Sequence, residues 1–431
     1  VKPACPPWLH ATLLALLVAW LAARILPGAF AERPFGIAPT PSGEPRARDF
    51  PSHLRMARSV WDGDWRNAPA SSAYTPAAHR RMLDGWAGDE VPALPFAYSP
   101  TMVWLMGPFA PLPDRTAYLV WAALSLAAVV WMIRPAADPL ALGCVVFLSR
   151  IPVWALYQGQ TVFLTAAALL WLLRPGRAAA RPLLAAVVLW ALTAKPPFAV
   201  TAAAVLLAAG HARAVLCALA LTAASTLALQ PLLGPAWAAD YVELLKTYNS
   251  QDADPLFAWC LEPTYMSNLR AALYAAGVGD ALASRASSAA WAVALAALVV
   301  CGRRKLLQGP AVAALAVLVL LLFSPHANIT DELHLYVAGA LAVPLVAGGP
   351  AARTLLFAYA FAAAVWLNCL SGAGLWVGAG PWVYPLPAFA AKVVLAALTV
   401  WVGRSPAGSR ASPPLPADPS PSVSGLLPHC P

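Results

Sequence analysis

Apolar runs separated by short polar turns recur along almost the whole chain, and their lengths predict helices that cross a bilayer. The runs fall at residues 8–26, 116–133, 140–156, 161–173, 182–194, 198–209, 215–233, 289–301, 311–323, 333–346, 354–370 and 386–402. They predict an all-α, polytopic transmembrane bundle of about twelve spans. Several runs are short for a bilayer, which tilting, breaks or packing against neighbours accommodate. The run at 8–26 follows a single Lys2 and lacks a clear cleavage signature, so it is read as the first span and not as a removable signal.

Residues 98–113 are apolar enough to insert, but Pro100, Gly107, Pro108, Pro111 and Pro113 oppose a regular spanning helix. The distribution of basic residues decides the assignment. If 98–113 does not cross, the inside connections carry Arg134, Arg174, Arg177, Arg181, Arg213, Arg303, Arg304, Lys305, Arg353, Arg404 and Arg410. The short outside connections then carry almost only Lys195, and both termini lie inside.

Two long outside segments result, 27–115 and 234–288, within a membrane domain spanning 1–404. In the first, Phe50, Leu54, Ala57 and Trp61 recur at helical spacing, which predicts a helix over 49–61 lying on the membrane. Arg48, Arg55 and Arg58 are set to face water or headgroups. Trp237, Tyr241, Leu244, Leu245 and Tyr248 repeat the pattern in the second segment. The Pro/Ser-rich tail, 405–431, is expected to be disordered and cytoplasmic. No internal repeat of the transporter type is evident.

Composition sharpens the class. Apolar residues make up 60% of the 431-residue chain and charged residues 11%, against soluble norms of roughly 45–50% and about 25%. A net charge of +9 raises nucleic acid as a partner. The basic residues are scattered between spans and form no stripe with aromatics, so topology accounts for them and nucleic acid is not expected. The seven cysteines show no metal-binding spacing; a bridge between Cys260 and Cys369 is an open alternative to simple packing. No metal or other cofactor is expected.

Ionisable and amide groups in apolar surroundings ask for a reason, since a Lys or Asp at a helix centre costs about 2.5–3.5 kcal/mol. Candidates here are Asp49, Gln158, Gln160, Lys195, His326, Asp331, Glu332 and His334, all at outer span ends or on the first outer loop. Each also has a structural reading. Asp49 precedes Phe50-Pro51 and can cap a helix. Gln158 and Gln160 can cap or meet headgroups, Lys195 can snorkel, and His326 can be a satisfied loop histidine. Asp331 and Glu332 are expected to be solvated and rank last.

The order Arg48-Asp49-Phe50, Tyr98-Ser99-Pro100, Leu112-Pro113, Gly159-Gln160, Lys195-Pro196-Pro197 and Ser324-Pro325-His326 resembles glycosyltransferase family 87 of the GT-C superfamily, up to about residue 350. Two departures stand out. Tyr-Pro-Pro is replaced by Tyr98-Ser99-Pro100, and aromatics expected after Asp-Phe are replaced by His53 and Leu54.

The resemblance implies a membrane enzyme that moves a hexose, with mannose expected, from a polyprenyl-phosphate donor to a lipid or envelope-glycan acceptor at the outer face. It implies Asp49 as general base. His326 would orient that base or touch the phosphate, and Gln158, Gln160, Lys195, Tyr98 and Asp331 would bind substrate. Direct displacement inverts the anomeric centre. A bacterial plasma-membrane location is expected. The rival readings are a transporter or flippase for a polyprenyl-linked sugar, and a glycan polymerase or ligase.

Overall fold

A computed structural model describes residues 49–83, 97–133, 155–156, 159–248, 266–325, 327, 329–342, 345 and 385–404, with five positions between 11 and 19. The run at 354–370, most of those at 8–26 and 140–156, the tail, Gln158, His326, Cys260 and Cys369 lie outside the described residues. Those described are helical, with no strand among them and only an isolated bridge between Leu307 and Arg404.

We label the helices in chain order. Before the first long apolar helix come α1 (Asp49–Asp62), α2 (Pro76–Leu83) and α3 (Pro100–Met106). The bundle then contains α4 (Asp114–Ile133), α5 (Val162–Leu173), α6 (Pro182–Leu192), α7 (Pro196–Ala208) and α8 (Ala212–Leu233). After it follow α9 (Trp237–Tyr248), α10 (Leu269–Ala275), α11 (Asp280–Arg303), α12 (Gly309–Phe323), α13 (His334–Ala342) and α14 (Pro385–Gly403).

Three of these, α4, α8 and α11, are long and apolar enough to cross a membrane. The apolar helices α5, α6, α7 and α12, and 387–403 of α14, are shorter. At 1.5 Å per residue they fall below a 30 Å hydrocarbon layer on their own. The expectation at 98–113 concerns a segment that forms only the seven-residue α3 and a 3₁₀ turn at Gly107–Phe109. Pro108 and Pro111 supply no backbone donor to continue a ladder, so the chain turns before α4 begins at Asp114.

The core is organised around α12, which is buried on every face from Ala311 to Leu322 and packs against α7, α11, α13 and α14. Small residues bring these helices close. A Cβ on Gly403 would lie 2.3 Å from Ala311 Cβ, and one on Gly302 would lie 2.7 Å from Ala208 Cβ. By contrast α6, α8 and α11 leave Leu183, Val187, Leu216, Leu219, Leu227 and Val293 exposed, as expected where a bilayer replaces water.

The helix α1 departs from the amphipathic expectation. Phe50, Leu54 and Ala57 are buried as expected, but so are Met56, Ser59 and Val60, while Trp61 is 37% exposed. Arg58 turns inward, bonding Ala110 O at 2.8 Å, Leu112 O at 2.5 Å and Asp114 at 2.5 Å. Arg55 approaches the same carboxylate at 3.8 Å. The helix is therefore walled in by protein and does not simply rest on a surface. Its arginines fix the proline-rich turn to the start of α4.

The following loop is stapled to the end of α8, whose last carbonyls have no partner within the helix. Trp65 Nε1 donates to Leu232 O at 2.8 Å, Arg66 to Pro231 O at 2.8 Å, and Ala73 N to Leu233 O at 2.9 Å. Ser71 and Ser72 donate to Asp240 of α9, and the Tyr74 ring lies 4.9 Å from Tyr241. Burial pushes both phenols above their ordinary range.

Candidate active site

The turn that ends in Gln160 packs against the beginning of α1. Gly159 takes φ 68°, a left-handed conformation open to glycine, and a Cβ there would strike Phe50 Cβ at 2.3 Å. Trp121 Nε1 donates to Gly159 O at 3.0 Å, and Tyr118 Oη donates to Leu156 O at 3.2 Å. The Phe50 ring sits 5.8 Å from Tyr118 and 5.6 Å from Trp121. Two aromatics of α4 thus grip the turn that ends in buried Gln160 and present it to Phe50. Asp49 is the first residue of α1 and is held beside this turn through its neighbour; its side chain lies outside what is described.

The Tyr98 segment is joined to the Lys195 turn. Ser99 N donates to Ala194 O at 3.3 Å and Ser99 Oγ to Thr193 O at 2.6 Å. Thr101 Oγ1 meets Thr193 Oγ1 at 2.8 Å. A proline at 99 could make neither of the first two bonds, which gives the Tyr98-Ser99-Pro100 departure a structural use. Lys195 occupies the N-cap of α7, with prolines in the following positions where no intrahelical donor is needed.

Lys195 does not reach outward as a snorkelling lysine would. Its side chain is 14% exposed, and Nζ lies 3.3 Å from Asp331 Oδ1. It also sits 5.8 Å from the centroid of Tyr98 and 5.5 Å from that of Phe198, within cation–π range. The expectation that Asp331 and Glu332 are solvated is corrected: both are buried, in the 3₁₀ turn Ile329–Leu333. The ring of fully buried His334 lies 4.6 Å from that of Phe198 in a tilted arrangement. Its Nδ1–H donates to Asp331 O at 2.9 Å, and its Nε2 faces Thr165 Oγ1 at 3.1 Å.

His53 belongs to this group although sequence reasoning noted it only as a departure. It lies one helical turn after Asp49, and its ring is 4.4 Å from that of Tyr98. Burial, reinforced by the charge of Lys195, lowers its pKa to about 3, so it is neutral at physiological pH. The i, i+4 relation to Asp49 was the available signal.

Lys392 was missed outright. It sits inside the apolar run of α14, and its ammonium reaches Glu332 at 2.5 Å, Ser267 Oγ at 2.6 Å and Leu321 O at 3.4 Å. A lone lysine in a predicted span is itself a signal. Although His326 is not described, its flanks are held: Asn268 Nδ2 donates to Ser324 O at 2.7 Å and Ala327 O at 3.3 Å, and Arg270 to Pro325 O at 3.3 Å.

The structure thus brings together Tyr98, Lys195 and Asp331, and places the start of α1 against Gly159-Gln160. A cavity of about 600 Å³ lies further along α1, lined by Arg58, Trp61 and Trp104, and contains none of these residues. Among the described residues no group of three His, Cys, Asp or Glu could hold a metal ion.

A family model for glycosyltransferase family 87 matches residues 96–325, more than half of the chain. The chain belongs to glycosyltransferase family 87. It is therefore a GT-C superfamily glycosyltransferase, an enzyme with a sugar donor and an acceptor, and its apolar helices mark it as a membrane protein. No curated protein and no solved structure matches it. The matched region of this family 87 enzyme contains Tyr98, Gln160 and Lys195, while Asp49, Asp331 and Lys392 lie outside it.

Proposed function

We propose that the protein transfers a hexose, with mannose the preferred assignment, from a polyprenyl-phosphate donor to a lipid or envelope-glycan acceptor, inverting the anomeric centre. The observation that carries this reading is the part-buried Lys195, set against Tyr98 and Asp331 on a chain rich in apolar helices, three of them long enough to cross a bilayer. A donor with its tail in the bilayer can bring a phosphate to such a cation without leaving the membrane. Lys195 has three ammonium donors and can retain Asp331 while it contacts phosphate.

In this mechanism Asp49 takes the proton from the acceptor hydroxyl as that oxygen attacks the anomeric carbon. The carbon–oxygen bond to phosphate breaks, and Lys195 stabilises the negative charge that develops on the departing phosphate. Gln158, Gln160 and Tyr98 hold the sugar, Asp331 orients Lys195, and His326 orients the base or contacts phosphate. The lipid-linked sugar is a substrate, and the scheme uses no cofactor. In this reading the chain has about twelve spans, and the short-loop basic residues favour both termini in the cytoplasm of a bacterial cell and the site at the outer face, with membrane lipids surrounding the bundle.

The test is to incubate membranes containing the protein with radiolabelled polyprenyl-phosphate hexoses and nucleotide sugars and to identify the labelled products. Label passing from the polyprenyl donor to a lipid or glycan supports the reading. Transfer from a nucleotide sugar alone overturns it.

A further inference from the structure

Two consecutive carboxylates in the Ile329–Leu333 turn are held by lysines from different helices. Asp331 meets Lys195 at the start of α7, and Glu332 meets Lys392 within α14. The second pair is the deeper one, with side chains only 2% and 7% exposed. Each charge taken out of water carries a penalty that the pair must offset, and removal of either partner leaves a charge buried alone. Lysine has three donors, and all three of Lys392 are used: on Glu332, on Ser267 Oγ and on Leu321 O. Ser267 in turn donates to the same Glu332 oxygen that Lys392 contacts.

The arrangement does more than join α14 to its neighbours. Ser267, Asn268 and Arg270 come from one short segment and grip the chain at Ser324, Pro325, Ala327 and Glu332. Asn268 also caps α10 through Ala271 N at 3.0 Å, and Arg270 is anchored by a two-point pair with Asp280. The gripping segment is therefore itself fixed. The backbone between these holds leads directly into Asp331, whose carbonyl also accepts from His334. A shift of Glu332 must move the adjacent Asp331 and with it the ammonium of Lys195.

We propose that Lys392, acting with Ser267 through Glu332, is a positioning residue that sets where Asp331 holds Lys195. The proposal rests on the reading of Lys195 as a donor-phosphate contact. It assigns a role to α14, which lies beyond the family-matched region.

The test uses the full-length protein in lipid nanodiscs with whichever sugar donor the unmodified protein accepts. A wrong donor class would then overturn the functional reading while this inference is still measured. Lys392→Met is expected to raise donor KM about tenfold per folded molecule, and adding it to Lys195→Met should cost less than a further twofold. Should Lys392→Met fail to fold, Ser267→Ala retains the ion pair, removes the bridging hydroxyl and should shift KM in the same direction by a few-fold. Unchanged donor KM in the folded variants, or losses that multiply when Lys195→Met and Lys392→Met are combined, would show a purely structural pair and overturn the proposal.

Discussion

Gly159 and Phe50 touch so closely that no side chain fits between them: a Cβ on the glycine would come within 2.3 Å of Phe50 Cβ. This contact joins α1 to the turn before α5. It is the means by which two short motifs over a hundred residues apart are brought side by side.

Gly159→Ala should therefore separate them. The left-handed backbone costs a non-glycine residue roughly 1–2 kcal/mol, and overpacking adds about 1–3 kcal/mol. The expected result is a lowered thermal midpoint and transfer reduced at least tenfold. Gln160→Ala, which leaves the Gly159 backbone unstrained, should lower the midpoint less than Gly159→Ala does. Equal stability and activity in Gly159→Ala would mean that the turn and α1 are not in contact.

The pair between Lys195 and Asp331 allows donor binding to be separated from burial. Lys195→Met removes the cation and leaves Asp331 buried beside an apolar side chain, a loss on the order of 2–5 kcal/mol. Adding Asp331→Asn relieves the buried charge but restores no cation. Stability should largely recover in the double variant while donor KM stays raised. Recovery of both would assign Lys195 to folding alone.

Two buried histidines make stability depend on pH. His53 is lowered to about 3 and His79 to about 4, in both cases chiefly by burial, against 6.5 in the unfolded chain. Below 6.5 the unfolded chain binds protons that the folded one does not. The stabilisation is thus fully present above pH 6.5 and is lost progressively toward pH 3 to 4. The slope reaches up to about 1.4 kcal/mol per histidine per pH unit. Thermal melts between pH 7.5 and 4.5 should show the midpoint falling, and His53→Gln with His79→Gln should flatten it.

The bundle was legible from apolar periodicity, because burial in lipid and burial in protein make the same demand on composition. That ambiguity also hid the boundaries. The run beginning at residue 289 belongs to a helix that starts at Asp280, since Ala, Ser and Arg there continue the backbone ladder without adding hydropathy. The inward turn of Arg58 in α1 was not legible, because it reads as a surface residue until Asp114 and two carbonyls are placed beside it. Lys195 was visible as an isolated charge at a span end. The burial of Asp331 and Glu332 was not, since a carboxylate is kept dry only by cations that arrive from α7 and α14.

The positive-inside pattern predicts that the Arg174–Arg181 connection faces the cytoplasm and that the turn after α10 faces outward. Ala179 and Ala276 are both exposed, so cysteines there report sidedness and not burial. In intact cells an impermeant maleimide should label Ala276→Cys and spare Ala179→Cys until the membrane is opened. The reverse pattern would invert the topology and move the site to the inner face.

Asp49 gives the most discriminating chemical prediction. As the first helical residue of α1, it can interact favourably with the helix N-terminus even if it has no catalytic part, so loss of activity on deletion alone would prove little. Asp49→Asn separates the roles: it nearly preserves size and keeps an oxygen that can cap, but removes the basic carboxylate. If Asp49 only anchors the helix, the variant should melt within a few degrees of the unmodified protein and transfer sugar at nearly the same rate. If Asp49 is the base, the melt should be equally undisturbed and donor binding retained, while transfer falls roughly 10²–10⁴-fold. Residual transfer within a few-fold of normal, in protein shown to bind donor, would remove Asp49 from the mechanism and leave it as an anchor for α1.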